Sequence, residues 1–342
     1  KRLPGVQPLL HHKPISRRMY TSEQILQMVN DGIAAMKYER TPQGLYAPVK
    51  YVLSLGGKRI RPVLMLMAYN LYREKPADIL TQALAIETYH NYTLLHDDLM
   101  DRAEMRRGRP TVHKMWDENA AILSGDAMLV LAYKMMAACP PEKLEQVLKL
   151  FTETALEIGE GQQYDMEFET RDDVQENEYI EMIRLKTSVL LACALKIGAI
   201  LADAPCGDAD SLYAFGEKMG LAFQLQDDYL DVYGDPAVFG KKLGGDILCN
   251  KKTYMLINAL QRADGQQRAE LESWLKQTPE RSEEKIAAVT DLYSRIGVGE
   301  LCNEKINDYF RQALECLEQV DIPTERKQPL RDLAQALLNR NS

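Results

Sequence analysis

Cysteine is scarce and scattered: Cys139, Cys193, Cys206, Cys249, Cys302 and Cys316 never fall in C-x-x-C spacing. That excludes a zinc cluster or a dense disulfide framework and makes a reducing cytoplasm the expected setting. Positive charge is also in deficit. With a net charge of -8 and a pI near 5.4, the chain lacks the basic footprint with which nucleic-acid binders neutralise phosphates. Long apolar runs are missing too. The most apolar stretch, Val189 to Ala202, is interrupted by Lys196 and falls short of the ~18–20 apolar residues of a membrane span, so no integral membrane association is expected. Lys1 to Arg18 carries basic residues and prolines without the continuous apolar core of a signal peptide. It reads as a tail or an expression remnant ahead of a start at Met19, with one domain over 19–342. No tract of period-two alternation bounded by hairpin turns stands out, which leaves little room for a sheet. Low-complexity tracts, tandem repeats and Ser-His-Asp or Cys-His nucleophile sets are absent as well.

What remains is a chain with 46% hydrophobic and 27% charged residues, the balance of a globular protein with a large core. From Ser22 onward, apolar residues recur at i, i+3, i+4 spacing between short Gly, Pro or Asp breaks. The pattern predicts helices over about Ala77 to Asp101, Asn119 to Ala138, Lys143 to Gln162, Glu178 to Asp203 and Ser211 to Val232. It continues over Thr253 to Ala259, Gln266 to Gln277, Ser282 to Ile296 and Leu301 to Val320, so the expected fold class is all-α, a large helix bundle. Two breaks combine glycine with positive charge: Leu55-Gly56-Gly57-Lys58-Arg59-Ile60-Arg61-Pro62 and the loop Gly234 to Lys252.

One acidic pattern occurs twice, as Asp97-Asp98-Leu99-Met100-Asp101 and as Asp227-Asp228-Tyr229-Leu230-Asp231. On a helix, i and i+4 share a face, so Asp97 with Asp101, and Asp227 with Asp231, present paired carboxylates. Such pairs repel unless solvated or bridged by a hard cation, and oxygen-only ligands suit Mg²⁺. A solvated acidic face competes with this reading for either cluster alone. Two copies, each ending an otherwise apolar helix, favour a shared diphosphate gripped through metal ions.

The ordered set of motifs resembles the trans-isoprenyl diphosphate synthase family. It comprises Gly56-Gly57-Lys58-Arg59-Ile60-Arg61-Pro62, the first acidic motif, Arg106-Arg107-Gly108, and Phe223-Gln224 ahead of the second acidic motif, over about Leu53 to Tyr254. The resemblance implies a single-domain isoprenoid synthase bundle with a deep central cavity, a homodimer, and three Mg²⁺ ions per active site. It also implies that Asp97, Asp101 and Asp227 bind Mg²⁺ directly, supported by Asp98, Asp228 and Asp231. Arg106, Lys186, Lys241 and Lys251 would contact the allylic diphosphate; Gly57, Lys58, Arg61, His90 and Arg107 would hold isopentenyl diphosphate. Thr187 and Gln224 match positions that stabilise the allylic carbocation, and Gln162 and Asp165 match a further motif near the cavity. Taken singly, Lys58 and Arg61 read as surface charges, His90 as a packed histidine, and Lys241 and Lys251 as solvated loop lysines.

A terpene cyclase would mix Asn, Ser or Thr with Glu in its second motif, and a regulatory subunit would show eroded acidic or lysine positions. Neither departure is present. Only two residues separate Asp98 from Asp101, as in geranylgeranyl diphosphate synthases, whereas bacterial farnesyl diphosphate synthases commonly carry two more. Eukaryotic farnesyl synthases place aromatics at the fourth and fifth positions before the motif, where this chain has Thr93 and Tyr92. C15, C20 and longer products stay open at this level. Tyr92, with Tyr89 nearly a turn further from Asp97, is the expected floor that stops the growing chain; the bland alternative is an ordinary core aromatic.

Overall fold

In the computed structural model, residues 19–236, 243–277 and 281–339 are described. The first helix, α1 (Ser22–Ala35), starts at a reciprocal cap in which Thr21 Oγ1 accepts from Gln24 N and Gln24 Oε1 accepts from Thr21 N. There follow α2 (Gln43–Ser54), α3 (Ile60–Asn70), α4 (Leu80–Met100), α5 (Glu118–Met136) and α6 (Leu144–Glu169). Next come α7 (Glu176–Ile183), a π-helical turn over Arg184–Ser188, α8 (Val189–Leu201) and α9 (Cys206–Tyr233). The chain ends with α10 (Tyr254–Arg262), α11 (Gly265–Leu275), α12 (Ser282–Ile296), α13 (Val298–Glu318) and α14 (Thr324–Leu338). The all-α expectation holds.

The stretch too short for a membrane span is the centre of the molecule: α8 is buried at every position except Lys196. A helix apolar on all sides needs neighbours all round, and α3 and α9 pack against it. No single helix among the described residues is long and apolar enough to cross a membrane. α9 joins two cores. Its first half (Leu212, Phe215, Met219) packs in one with α3, α4 and α8, and its second half (Leu221, Leu225) in another with α10, α12 and α13.

Three local features depart from expectation. α6 runs to Glu169 instead of stopping near Gln162, the helix expected over Glu178 to Asp203 is broken by the π turn, and a two-stranded ribbon pairs Met105–Arg106 with Arg109–Pro110. Strands two residues long are too short to give a period-two signal. The ribbon turns on Arg107 and Gly108, both with positive φ (51° and 73°), the geometry that the twist of a tight hairpin favours.

Candidate active site

The last turn of α4 carries the first acidic cluster. Asp97 and Asp101 share a face there, while Asp98 is buried and already engaged: Arg106 Nε lies 3.0 Å from both of its oxygens and Arg106 Nη2 lies 2.6 Å from Oδ1. Burial pushes the Asp98 carboxyl up, against the pull of Arg106. Burial, with Asp97 as a like-charged neighbour, raises Asp101 to about 6.

The last turns of α9 carry the second cluster. Asp227 is half-buried. Asp228 is buried, accepts from the Tyr179 hydroxyl and from Gln224 Nε2 at 3.2 Å, and is held well above the ordinary carboxylate range by burial. Asp231 accepts from the backbone N–H of Asp246 at 2.9 Å, and burial, then Asp246, raise it.

Two lysines bring the clusters together. Lys186, on the π turn, places Nζ 2.6 Å from Asp165 and 3.2 Å from Asp97. Burial opposes its charge, but the two carboxylates win and hold the ammonium above its ordinary value. Lys251 sits 3.8 Å from Asp246. It too is opposed by burial and raised by carboxylates, here Asp246, Asp228, Asp165 and Asp97, of which Asp228 and Asp97 come from the two clusters. The ends of α4 and α9 therefore face one chamber, with Asp165 of α6 between them. Thr187 Oγ1 lies 3.4 Å from Gln224 Oε1 in the same region, and Gln162 is half-buried on α6. Lys241 lies outside the described residues.

Lys186 reaches Asp165 because α6 comes very close to the π turn. A β-carbon on Gly161 would lie 2.3 Å from the Lys186 nitrogen, so only glycine fits the crossing.

The second group of expected residues also assembles. Arg61 Nη1 donates to His90 Nε2 at 3.1 Å, which makes the ring a neutral acceptor. Burial, then Arg61, Arg107 and Arg106, depress the His90 pKa well below its ordinary value. Burial also lowers Arg61 to about 10, and its Nε has no protein partner among the described residues. Arg107 donates to the Gly56 carbonyl, and its guanidinium lies 2.8 Å from where a Gly57 β-carbon would stand. Lys58 is exposed beside them. The result is a shelf dense in donors and positive charge, with Arg106 at the border between it and the acidic chamber.

Upstream on α4, Tyr92 is half-buried between His96 (ring centroids 4.9 Å apart) and Tyr89 (5.4 Å). Tyr89 is 2% exposed, stacks edge-on to Phe151 at 5.3 Å and donates to the Ala155 carbonyl at 3.3 Å. Thr93 turns back to the His90 carbonyl at 2.7 Å. Tyr92 is thus the outer ring of an aromatic layer, and Tyr89 with Phe151 lies beneath it.

Sequence reasoning missed Tyr179, Asp246 and a buried trio formed by Arg59, Glu87 and Asn91. Asp246 follows Gly244-Gly245, a turn signal inside the flagged loop, and could have been singled out. The others depend on contacts distant in sequence.

The donor set fits a hard divalent cation, since the two motifs offer six carboxylates and no histidine or cysteine ligand of the kind softer metals prefer. Among the described residues, no three carboxylate, histidine or cysteine side chains already enclose an ion position. Asp98 and Asp228 are spoken for by Arg106, Tyr179 and Gln224, and Lys186 stands between Asp97 and Asp165. Mg²⁺ commonly takes only one or two carboxylates from a protein and completes its shell with water and substrate phosphate.

Residues 42–292 match the family model described as polyprenyl synthetase. The chain is 37% identical to a geranylgeranyl pyrophosphate synthase of Geoglobus acetivorans, over 92% of this chain and 97% of that one. It is 36% identical to a short chain isoprenyl diphosphate synthase of Methanothermobacter thermautotrophicus, over 92% and 96% of the two chains. A crystal structure of a geranylgeranyl pyrophosphate synthase superposes with a TM-score of 0.90 at 43% identity, covering 95% of this chain and all of the other.

Proposed function

The chain belongs to the polyprenyl synthetase family and is a short-chain trans-prenyltransferase, and on that basis we propose how its residues divide the reaction and where it stops. The observation that carries the proposal is the pair of acidic helix ends facing one chamber, with Lys186 and Lys251 among them. Asp97, Asp101 and Asp227 would hold Mg²⁺, supported by Asp98, Asp228 and Asp231. Bound there, Mg²⁺ supplies positive charge to offset that of a diphosphate. Arg106, Lys186 and Lys251 contact the allylic diphosphate and stabilise the negative charge that builds as its C1–O bond breaks, the electron pair leaving with the diphosphate. The Thr187 and Gln224 dipoles face the cation left behind. Gly57, Lys58, Arg61, His90 and Arg107 hold isopentenyl diphosphate so that its double bond attacks that carbon. The proton lost in restoring a double bond passes to the released diphosphate. The direct test is turnover of isopentenyl diphosphate with an allylic primer and Mg²⁺; no product longer than the primer would refute this assignment of the cleft.

The product we favour is C20. Tyr92 is the outermost ring of the aromatic layer on α4, and a further five-carbon unit would have to overpack that layer, at about 1–3 kcal/mol or more. Tyr92→Ala should shift the products beyond C20 with the metal-binding carboxylates intact, Tyr89 and Phe151 forming the next barrier. Chromatographic sizing of wild-type and mutant products at one substrate ratio checks this. An unchanged distribution from a folded, active mutant would move the floor away from Tyr92.

A homodimer is also proposed. On α5, Leu123 and Val130 lie two turns apart on one face and are 59% and 67% exposed, and Leu156 on α6 is 65% exposed. Such a face is costly to leave in water. Sedimentation should give twice the 38.9 kDa chain mass, and Leu123→Glu with Val130→Glu should give the monomer. A wild-type monomer at micromolar concentration would refute the proposal.

A further inference from the structure

We propose that Arg59, Glu87 and Asn91 form a buried brace that positions the isopentenyl diphosphate shelf without touching substrate. The proposal rests on the assignment of Lys58, Arg61 and His90 to that substrate. Arg59 sits between Lys58 and Arg61 in a left-handed backbone conformation (φ 50°), which a β-carbon disfavours and which something must hold in place. What holds it is its own side chain, 4% exposed. Nη1 pairs with Glu87 at 2.6 Å and Nη2 donates to the Leu53 carbonyl, in the last turn of α2, at 2.7 Å. Glu87, 3% exposed, is fixed in turn by Asn91 Nδ2, which donates to its carboxylate at 2.9 Å and to its carbonyl at 2.8 Å. Glu87 precedes His90 by three residues, so the two share a face of α4.

The sharp turn carrying Gly56 to Arg59 is therefore tied to α2 on one side and to α4 on the other. Lys58 is exposed, and Arg61 rests on His90. Glu87 also sends its field to Arg61 and Arg107, favouring their charge against burial. Stability alone does not require such a pair, because apolar residues of similar volume often replace a buried ion pair at no loss. Burial keeps Arg59 from serving as a ligand: its side chain is 4% exposed and both terminal nitrogens point at groups inside the protein. Its role is positioning.

The discriminating variant is the double Arg59→Met/Glu87→Leu, which removes both buried charges together and so avoids stranding one. It should fold with an almost unchanged melting temperature yet raise KM for isopentenyl diphosphate about 10- to 100-fold, the cost of misplacing a binding group by around 1 Å. KM for the allylic substrate should stay put. Calorimetric titration with isopentenyl diphosphate alone, which cannot turn over without a primer, should show the same rise in Kd. Lys58→Ala is the reference for the subsite, with an expected rise in the same KM of about 10- to 150-fold. If the double variant binds isopentenyl diphosphate like wild type while Lys58→Ala does not, the brace is wrong. If Lys58→Ala raises the allylic KM instead, the subsite assignment is wrong. Should the double variant fail to fold, Asn91→Ala keeps the ion pair and frees one arm of it. It should weaken isopentenyl diphosphate binding by about 2- to 12-fold, the worth of one hydrogen bond, and unchanged binding there also overturns the brace.

Discussion

Replacing Asp97 or Asp227 by alanine should lower kcat by at least about 10²–10³, the scale lost when an electrostatic stabiliser of the transition state is removed. The two positions are on different helices, so equal losses would tie both to one event. Asp97 already shares Lys186 with Asp165, and Lys251 feels Asp97 and Asp228 together. The wild-type enzyme should lose activity in EDTA and regain it with Mg²⁺. Asp97→Ala also frees Lys186 from one of its two carboxylates, so its KM for the allylic substrate need not rise. A fall in kcat at steady KM is the signature of an interaction made in the transition state. Near-normal turnover in either mutant separates the clusters and ends the shared-site reading.

The acidic clusters were legible because the relevant geometry is local. A helix fixes the relation of i to i+4, and the two motifs need only a helix to become paired carboxylates. The same holds for Gly56-Gly57-Lys58, where the glycines mark a turn and the charges flank it. Contacts between distant segments are another matter. Tyr179 reaches Asp228 across 49 residues and Arg59 reaches Glu87 across 28, and no periodicity in either segment points at its partner. The π turn was invisible for a related reason: one extra residue per turn leaves no mark in composition, and Leu185 and Ser188 are buried much as an α-helix would bury them.

The short estimate of α6 has a more instructive cause. Gly159 and Gly161 stand just before the expected end at Gln162, where glycine usually closes a helix. The helix continues for two further turns and carries Asp165 into the chamber. Gly161 marks a crossing here, and its missing side chain is occupied by the backbone of another segment.

That crossing yields the other large effect. A β-carbon at Gly161 would stand 2.3 Å from Lys186 N and 2.8 Å from Leu185 C and Lys186 Cα. All three are backbone atoms, so no rotamer change relieves the clash, and α6 must move away from the π turn by around 1 Å. Gly161→Ala should therefore be destabilised by about 1–3 kcal/mol, as overpacking generally costs. The functional loss should be larger. Lys186 Nζ is held 2.6 Å from Asp165, which is on the displaced helix, and 3.2 Å from Asp97, which is not. Separating the helices pulls the ammonium between its two partners and away from the allylic diphosphate that the proposed mechanism has it stabilise. A displacement of about 1 Å is enough to cost roughly 10²-fold in rate. Lys186→Met, which removes the ammonium outright, sets the ceiling. Measured side by side at a temperature where both are folded, Gly161→Ala should approach the kcat of Lys186→Met while keeping its own lysine. A mutant with lowered stability and wild-type kcat would show that the crossing packs the fold without aiming Lys186.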